Sequence, residues 1–259
     1  MTDPVLYELQ DRIATITLNR PEKRNAISTE MIQELLPALH ECDLSPARVV
    51  IITGAGKAFC SGMDLDALKT ISAQTGAENA ADSRRMAAMF RHLYDFPKPL
   101  IAAVNGPAIA GGCGIATLCD FTLAVPEARF GYTEVRIGFI PALVSVFLRR
   151  QIGEKRARDL LLTGRIFDAE EALRLGLVNA IVEPEKLMDA ARELAASLLA
   201  NSPTSLHRTK MLLAGCAKEQ LDREIELAVQ ENASIRATQD FSEGVSSFLE
   251  KRKPEWKNK

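Results

Sequence analysis

Three histidines, one tryptophan and five cysteines in 259 residues close off several kinds of chemistry. His40, His92 and His207 stand apart and form no H-E-x-x-H pattern, so a metal site is not expected. Cys42, Cys60, Cys113, Cys119 and Cys216 make an odd number with no C-x-x-C pair. That argues against a disulfide framework or zinc ribbon and for a reducing, cytoplasmic setting. No apolar run approaches the roughly 20 residues that cross a bilayer. The start, Met1-Thr2-Asp3-Pro4, lacks the basic and apolar regions of a secretion signal, so no membrane partner is expected. Basic and acidic residues number 32 and 34, a net charge of −2 without the basic field a nucleic acid demands. Chemistry in this chain therefore falls to carboxylates or to the backbone.

What is present reads as an ordinary globular protein, 47% hydrophobic and 25% charged. Its length suits one large domain or a domain with a helical annex. Val5–Gln10 and Ile13–Asn19 read as strands hinged at Asp11-Arg12, the second alternating apolar and polar residues. Ser28 is placed to cap a helix through about Ala38, with Ile27 as its staple. Arg48–Thr53, Leu100–Val104 and Phe121–Val125 look like buried strands. The small polar residues of Thr70–Asn79 suggest a mobile loop, and Ala80–Tyr94 a helix stopped by Pro97 and Pro99. Asp168 is a further candidate N-cap, with Leu177–Val182 as a short strand beyond it. From Pro184 on, the pattern is helical throughout, over about 186–200, 203–214, 220–238 and 240–252. An α/β organisation follows, with a mixed core over 1–182 and a helical region over 183–259. The rhythm of strand, strand and helix hints at a spiral of similar turns.

Three segments are candidates for function. In Lys57-Ala58-Phe59-Cys60-Ser61-Gly62-Met63-Asp64-Leu65 a glycine loop runs into a helix start, which exposes backbone N–H groups to an anion or polarised carbonyl. An ordinary strand–helix turn explains it equally when taken alone. Gly54 and Gly56 lack the remainder of a dinucleotide fingerprint or P-loop, and Ser61 is outside any G-x-S-x-G elbow. Ala110-Gly111-Gly112-Cys113-Gly114 repeats the glycine-before-helix arrangement, and close helix packing is its plain alternative. The third is Phe130 to Pro141, where Glu134 stands in an apolar run that would raise its pKa toward a general base's range. Arg136 nearby is placed to pair with it.

These segments come in order with further blocks: Leu18-Asn19-Arg20-Pro21, Asn25-Ala26, Ala102-Ala103-Val104-Asn105-Gly106-Pro107-Ala108, Leu118-Cys119-Asp120 and Leu162-Thr163-Gly164. Together with Phe248-Leu249-Glu250-Lys251-Arg252 they resemble the enoyl-CoA hydratase/isomerase (crotonase) superfamily over essentially the whole chain. The resemblance implies a crotonase-like spiral of repeated β-β-α turns with a C-terminal helical trimerisation region, as a homotrimer or homohexamer. It implies an acyl-CoA substrate, with no cofactor beyond the CoA of the thioester. It assigns the two oxyanion donors to the N–H groups of Met63 and Gly111 and the acid–base role to Glu134. CoA would lie along Lys23, Arg24 and Ala26 and the stretch Ser61, Met63, Asp64 and Leu65. A neighbouring subunit's Lys251, Arg252 or Lys253 would meet a CoA phosphate, a solvated basic tail being the alternative.

One position departs from the family pattern. Hydratases of this family resemble one another in using two glutamates, and the first of them is replaced here by Gly114. A lone Glu134 favours 3,2-enoyl-CoA isomerisation, which needs one base to move a proton from C2 to C4. The alternative is 2-enoyl-CoA hydration with an acid recruited from elsewhere, such as Asp66 or Glu78. A non-catalytic acyl-CoA-binding oligomer is a weaker third reading, since a pure binder gains nothing from a buried carboxylate.

Overall fold

The computed structural model describes residues 3–257 apart from 72 and 73, and Leu65 by its backbone alone. Its first element is a hairpin of β1 (Val5–Gln10) and β2 (Ile13–Leu18), turned by Asp11 and Arg12 at φ 51° and 66°. Helix α1 (Thr29–Leu44) follows, with the Ser28 Oγ accepting from the Met31 N–H at 3.2 Å. It runs beyond the expected end at Ala38 and past Pro37. Leu39 and Cys42 continue the buried stripe of Leu35 and Ala38, and that burial offsets the hydrogen bond proline removes.

β3 (Val49–Gly54), α2 (Leu65–Ile71) and α3 (Gly76–Tyr94) come next. The stretch expected to be a mobile loop is therefore largely helical. Thr75 and Glu78 form a reciprocal capping box that starts α3 at Gly76, while positions 72 and 73 lie outside the described residues. β4 (Leu100–Val104), β5 (Ala108–Ile109), α4 (Gly111–Leu118), β6 (Phe121–Ala124) and β7 (Arg129–Gly131) complete the middle of the chain. Then come α5 (Ala142–Ile152), α6 (Glu154–Thr163), β8 (Ile166–Asp168), α7 (Ala169–Leu175) and β9 (Ala180–Ile181). The last strand is shorter than expected because Gly176, at φ 80°, closes α7 in a left-handed turn and the chain reaches the sheet only at residue 180. Helices α8 (Leu187–Leu199), α9 (Pro203–Gly215), α10 (Lys218–Ser234) and α11 (Gln239–Leu249) end the structure.

Six strands form one sheet in the order β1-β2-β3-β4-β6-β9, parallel except for the hairpin. Ile16 pairs with Ile52, Ile52 with Ala102 and Ala102 with Thr122, so each pass of the chain adds one strand beside the last. Parallel strands covered on both faces must be apolar throughout, and every residue of β4 is buried accordingly. Helix α8 packs against β3, β4 and β6.

A second, thinner ladder runs through the same turns. β5 pairs parallel with β7, which pairs antiparallel with β8. Single bridges, Ile27 with Met63 and Cys60 with Ala108, extend the pattern across earlier turns. The β-β-α spiral is this repetition: one strand to the large sheet, one short extended piece to the small ladder, then a helix. Sequence patterning misses β5, β7 and β8 because two or three residues carry no periodicity.

Close approach between turns depends on glycine. A Cβ on Gly112 would sit 2.3 Å from the Cys60 carbonyl oxygen. Gly112→Ala is therefore expected to lower stability by roughly 1–3 kcal/mol through forced separation of the two turns. A thermal melt coinciding with the parent's would refute that contact.

Candidate active site

The first loop, between β3 and α2, is fixed by two side-chain amides. Asn25, fully buried at φ 55°, donates from Nδ2 to the carbonyls of Ala55 and Ala58 at 2.9 and 2.7 Å. Its Oδ1 accepts from the Arg20 N–H at 2.8 Å. Asn105 donates to the carbonyls of Gly54 and Gly56 at 2.8 and 2.9 Å. The loop then zips to its neighbours: the Ile109 N–H donates to the Cys60 carbonyl at 2.9 Å, and the Ile27 N–H to the Gly62 carbonyl at 2.7 Å. Asp64 closes it, its Oδ2 2.7 Å from the Arg20 guanidinium and its Oδ1 accepting the Asp66 N–H at the start of α2.

The second loop carries Ala110 at φ 51° and ψ −123°, a conformation that L side chains rarely adopt. The Ala110 N–H reaches the Gly131 carbonyl at 2.7 Å, and Gly111 starts α4 immediately after. A Cβ on Gly62 would lie 3.0 Å from that of Ala110, so the two loops touch. Among the described residues neither the Met63 nor the Gly111 N–H donates to another group of the protein. Met63 and Gly111 both line one cavity of about 850 Å³. Two free donors, one of them at a helix N-terminus, suit a developing negative charge on oxygen.

Glu134 lines the same cavity. It opens a short 3-10 turn (Glu134–Ile137) whose end is left-handed at Gly138, and the Phe139 N–H donates to the Glu134 carbonyl at 3.1 Å. Helix α11 presses on that turn: a Cβ on Gly244 would lie 2.2 Å from the Ile137 carbonyl. The carboxylate Oε2 is shut off from water and meets no partner. Burial raises the Glu134 pKa to about 7, opposed only by a backbone hydrogen bond. Arg136 is exposed and forms no ion pair with Glu134.

The expected auxiliary acids are elsewhere. Asp66 is exposed and pairs with Lys23 and Lys69, and Glu78 serves the capping box. At Gly114 there is no vacancy for a carboxylate, since a Cβ there would lie 2.6 Å from Val144 and 3.1 Å from Phe90. Cys60 and Cys113, buried beside the loops, have thiols pushed up to about 12 by desolvation, which rules them out as thiolate nucleophiles at neutral pH.

Lys23, Arg24, Ala26, Ser61 and Asp64 lie on the cavity wall, and the side chain of Leu65 lies outside the described residues. The Asp64 carboxylate is taken up by Arg20, so it braces the loop. Lys251 and Arg252 reach the cavity of their own chain, and Arg252 is held there by Glu243 and Glu250; Lys253 is not on the wall. Sequence reasoning missed Arg20 as a brace, and also Phe90, Asn232 and Arg236, which line the cavity from distant helices.

Comparison with known proteins points to one family. The profile of the Enoyl-CoA hydratase/isomerase family matches residues 8–259. A Thermus thermophilus protein provisionally named enoyl-CoA hydratase is 48% identical over 93% of this chain and 96% of its own length. The crotonyl-CoA hydratase of Syntrophomonas wolfei is 34% identical over 96% of each chain. A crystal structure of an enoyl-CoA hydratase/isomerase from Xanthobacter autotrophicus Py2 superposes with a TM-score of 0.90 at 30% identity, covering 96% of this chain and 94% of the other.

The raised Glu134 pKa has a consequence for stability. The folded state holds a proton between pH 4.5 and about 7 that the unfolded state has released, so folding free energy is lost as pH rises through that window. Glu134→Gln is expected to stabilise the protein at pH 8 by up to about 3 kcal/mol and to be nearly neutral at pH 4. Denaturant titrations at both pH values check this; equal gains at both would place the carboxyl in water.

Proposed function

The chain belongs to the enoyl-CoA hydratase/isomerase family, and from that premise we propose that it moves a proton at C2 of an acyl-CoA thioester with Glu134 as acid and base. The observation that carries this reading is the meeting of three groups at one cavity: two backbone N–H donors without an acceptor in the protein and the Glu134 carboxyl, whose Oε2 is buried and unpartnered. The thioester oxygen sits between the N–H groups of Met63 and Gly111, where loss of one donor costs about 2.7–4 kcal/mol of transition-state stabilisation. Lys23, Arg24, Ala26 and Ser61 line the side on which the nucleotide part of CoA lies. No further cofactor is needed for this chemistry.

Hydration of a 2-enoyl-CoA is the reaction the relatives' names favour. Here one oxygen of protonated Glu134 gives its proton to C2 while the other takes a proton from the water whose oxygen bonds to C3. The carboxyl is regenerated, and the transient enolate charge rests on the two N–H groups. A second reading is 3,2-enoyl-CoA isomerisation, favoured by the packed apolar site at Gly114 where a second glutamate has no room. Ionised Glu134 then removes a proton from C2 and returns it at C4. The exposed leucines of α9, Leu212 and Leu213, support assembly as a homotrimer or homohexamer, and five free cysteines support a cytoplasmic setting.

The two reactions separate by mass and by pH. With crotonyl-CoA, hydration adds the mass of water, and kcat/KM falls as pH rises past about 7. With a 3-enoyl-CoA, isomerisation shifts the absorbance at constant mass, and kcat/KM rises over the same range. Glu134→Gln is expected to reduce either rate by at least about 10²–10⁴-fold while CoA affinity persists. Undiminished turnover in that variant removes Glu134 from the mechanism.

A further inference from the structure

The cavity carries a charge that the chemistry above does not use. Arg236, with its side chain 1% exposed, lies just beyond the end of α10 and lines the cavity together with Asn232. Its Nη1 donates to Asp82 Oδ2 at 2.8 Å and Asn79 Oδ1 at 3.2 Å, and its Nη2 to Asn232 Oδ1 at 2.8 Å. Its Nε has no hydrogen-bond partner within the protein. A buried cation with an unpaired donor is costly, so a group of opposite charge beside it is favoured.

The charge is not cancelled. Asp82 is shared with Arg85, whose Nη2 lies 3.3 Å from Asp82 Oδ1, so one carboxylate faces two guanidinium groups. Desolvation lowers the Arg236 pKa, but arginine stays protonated at neutral pH. Arg236 also stacks on Phe139, its guanidinium carbon 5.6 Å from the ring centroid, and Phe139 is the residue whose N–H donates to the Glu134 carbonyl. The cluster therefore sits against the turn that bears Glu134. Along α3, Ser83, which donates to Asn232 Oδ1 at 2.7 Å, is seven residues from Phe90. Phe90 lies 3.9 Å from where a Cβ of Gly111 would be, so the polar cluster is about 10 Å along the helix from the thioester end.

We propose that Arg236, oriented by Asn232, is a specificity-determining residue that selects an acyl group ending in a carboxylate. The inference rests on the acyl-CoA reading above and extends it to the far end of the substrate. A carboxylate there answers the excess positive charge, whereas a methyl-ended chain of equal length leaves that charge uncompensated.

Saturated acyl-CoAs test this without turnover. Calorimetric binding of glutaryl-, adipyl- and suberyl-CoA to the full chain is compared with that of pentanoyl-, hexanoyl- and octanoyl-CoA. At least one dicarboxylic member is expected to bind roughly ten- to a hundredfold tighter than its methyl-ended counterpart. Arg236→Gln should bring that ratio close to one. Asn232→Asp, which keeps the side-chain volume and supplies a competing charge, should lower it in a protein that keeps its fold. Ratios near one in the wild type overturn the inference and leave the acyl-CoA reading standing. A preference that survives in either folded variant also overturns it. Failure of every acyl-CoA to bind overturns the acyl-CoA reading itself.

Discussion

One hydrogen bond between turns of the spiral, from the Ile109 N–H to the Cys60 carbonyl, sets the distance on which the rest of the site depends. It draws together two loops from different parts of the chain, and the absence of side chains at Gly62 and Gly112 lets their backbones touch. Each loop then leaves one N–H without an internal acceptor. A donor kept free in this way needs a rigid surround, and Asn25, Asn105 and the Arg20–Asp64 pair supply it. Their contribution is to prevent the loops from relaxing onto their own carbonyls.

The carboxyl is governed by the opposite condition. Where the donors are held by many hydrogen bonds, Glu134 Oε2 has none, and desolvation alone brings its pKa near neutrality. That arrangement costs stability whenever the group is ionised, and it persists because α11 pins the turn from outside. The C-terminal helices are thus part of the site. α11 packs on the turn that bears Glu134, the chain just past α10 adds a buried arginine to the cavity, and the segment after α11 brings Arg252 to the cavity wall.

Much of this was legible in the chain because the controlling features are local. The apolar runs at Val49–Thr53 and Leu100–Val104 mark strands buried on both faces, Ser28 and Asp168 mark helix starts, and Gly111 and Gly112 mark a backbone approach. The resemblance carried by the ordered blocks singled out Met63, Gly111 and Glu134, and these three line one cavity. Other expectations failed for equally local reasons. The reading of 70–79 as a loop gave weight to small polar residues and overlooked Thr75 and Glu78 as a capping pair. Lys251 and Arg252 line the cavity of their own chain, a placement that no local pattern signals.

What the sequence determined by itself was the succession of strands and helices, the two glycine loops and the single glutamate in an apolar run, since each follows from the character of neighbouring residues. What only the tertiary structure decided was the company those residues keep. Arg20 reaches Asp64, Asn232 reaches Ser83, and Val144 and Phe90 fill the space beside Gly114 across long stretches of chain. No periodicity or spacing encodes such pairings. They arise when the parallel strands stack and bring each turn's helix against its neighbours, so the charge that Arg236 brings to the cavity and the filled space beside Gly114 emerge only from packing.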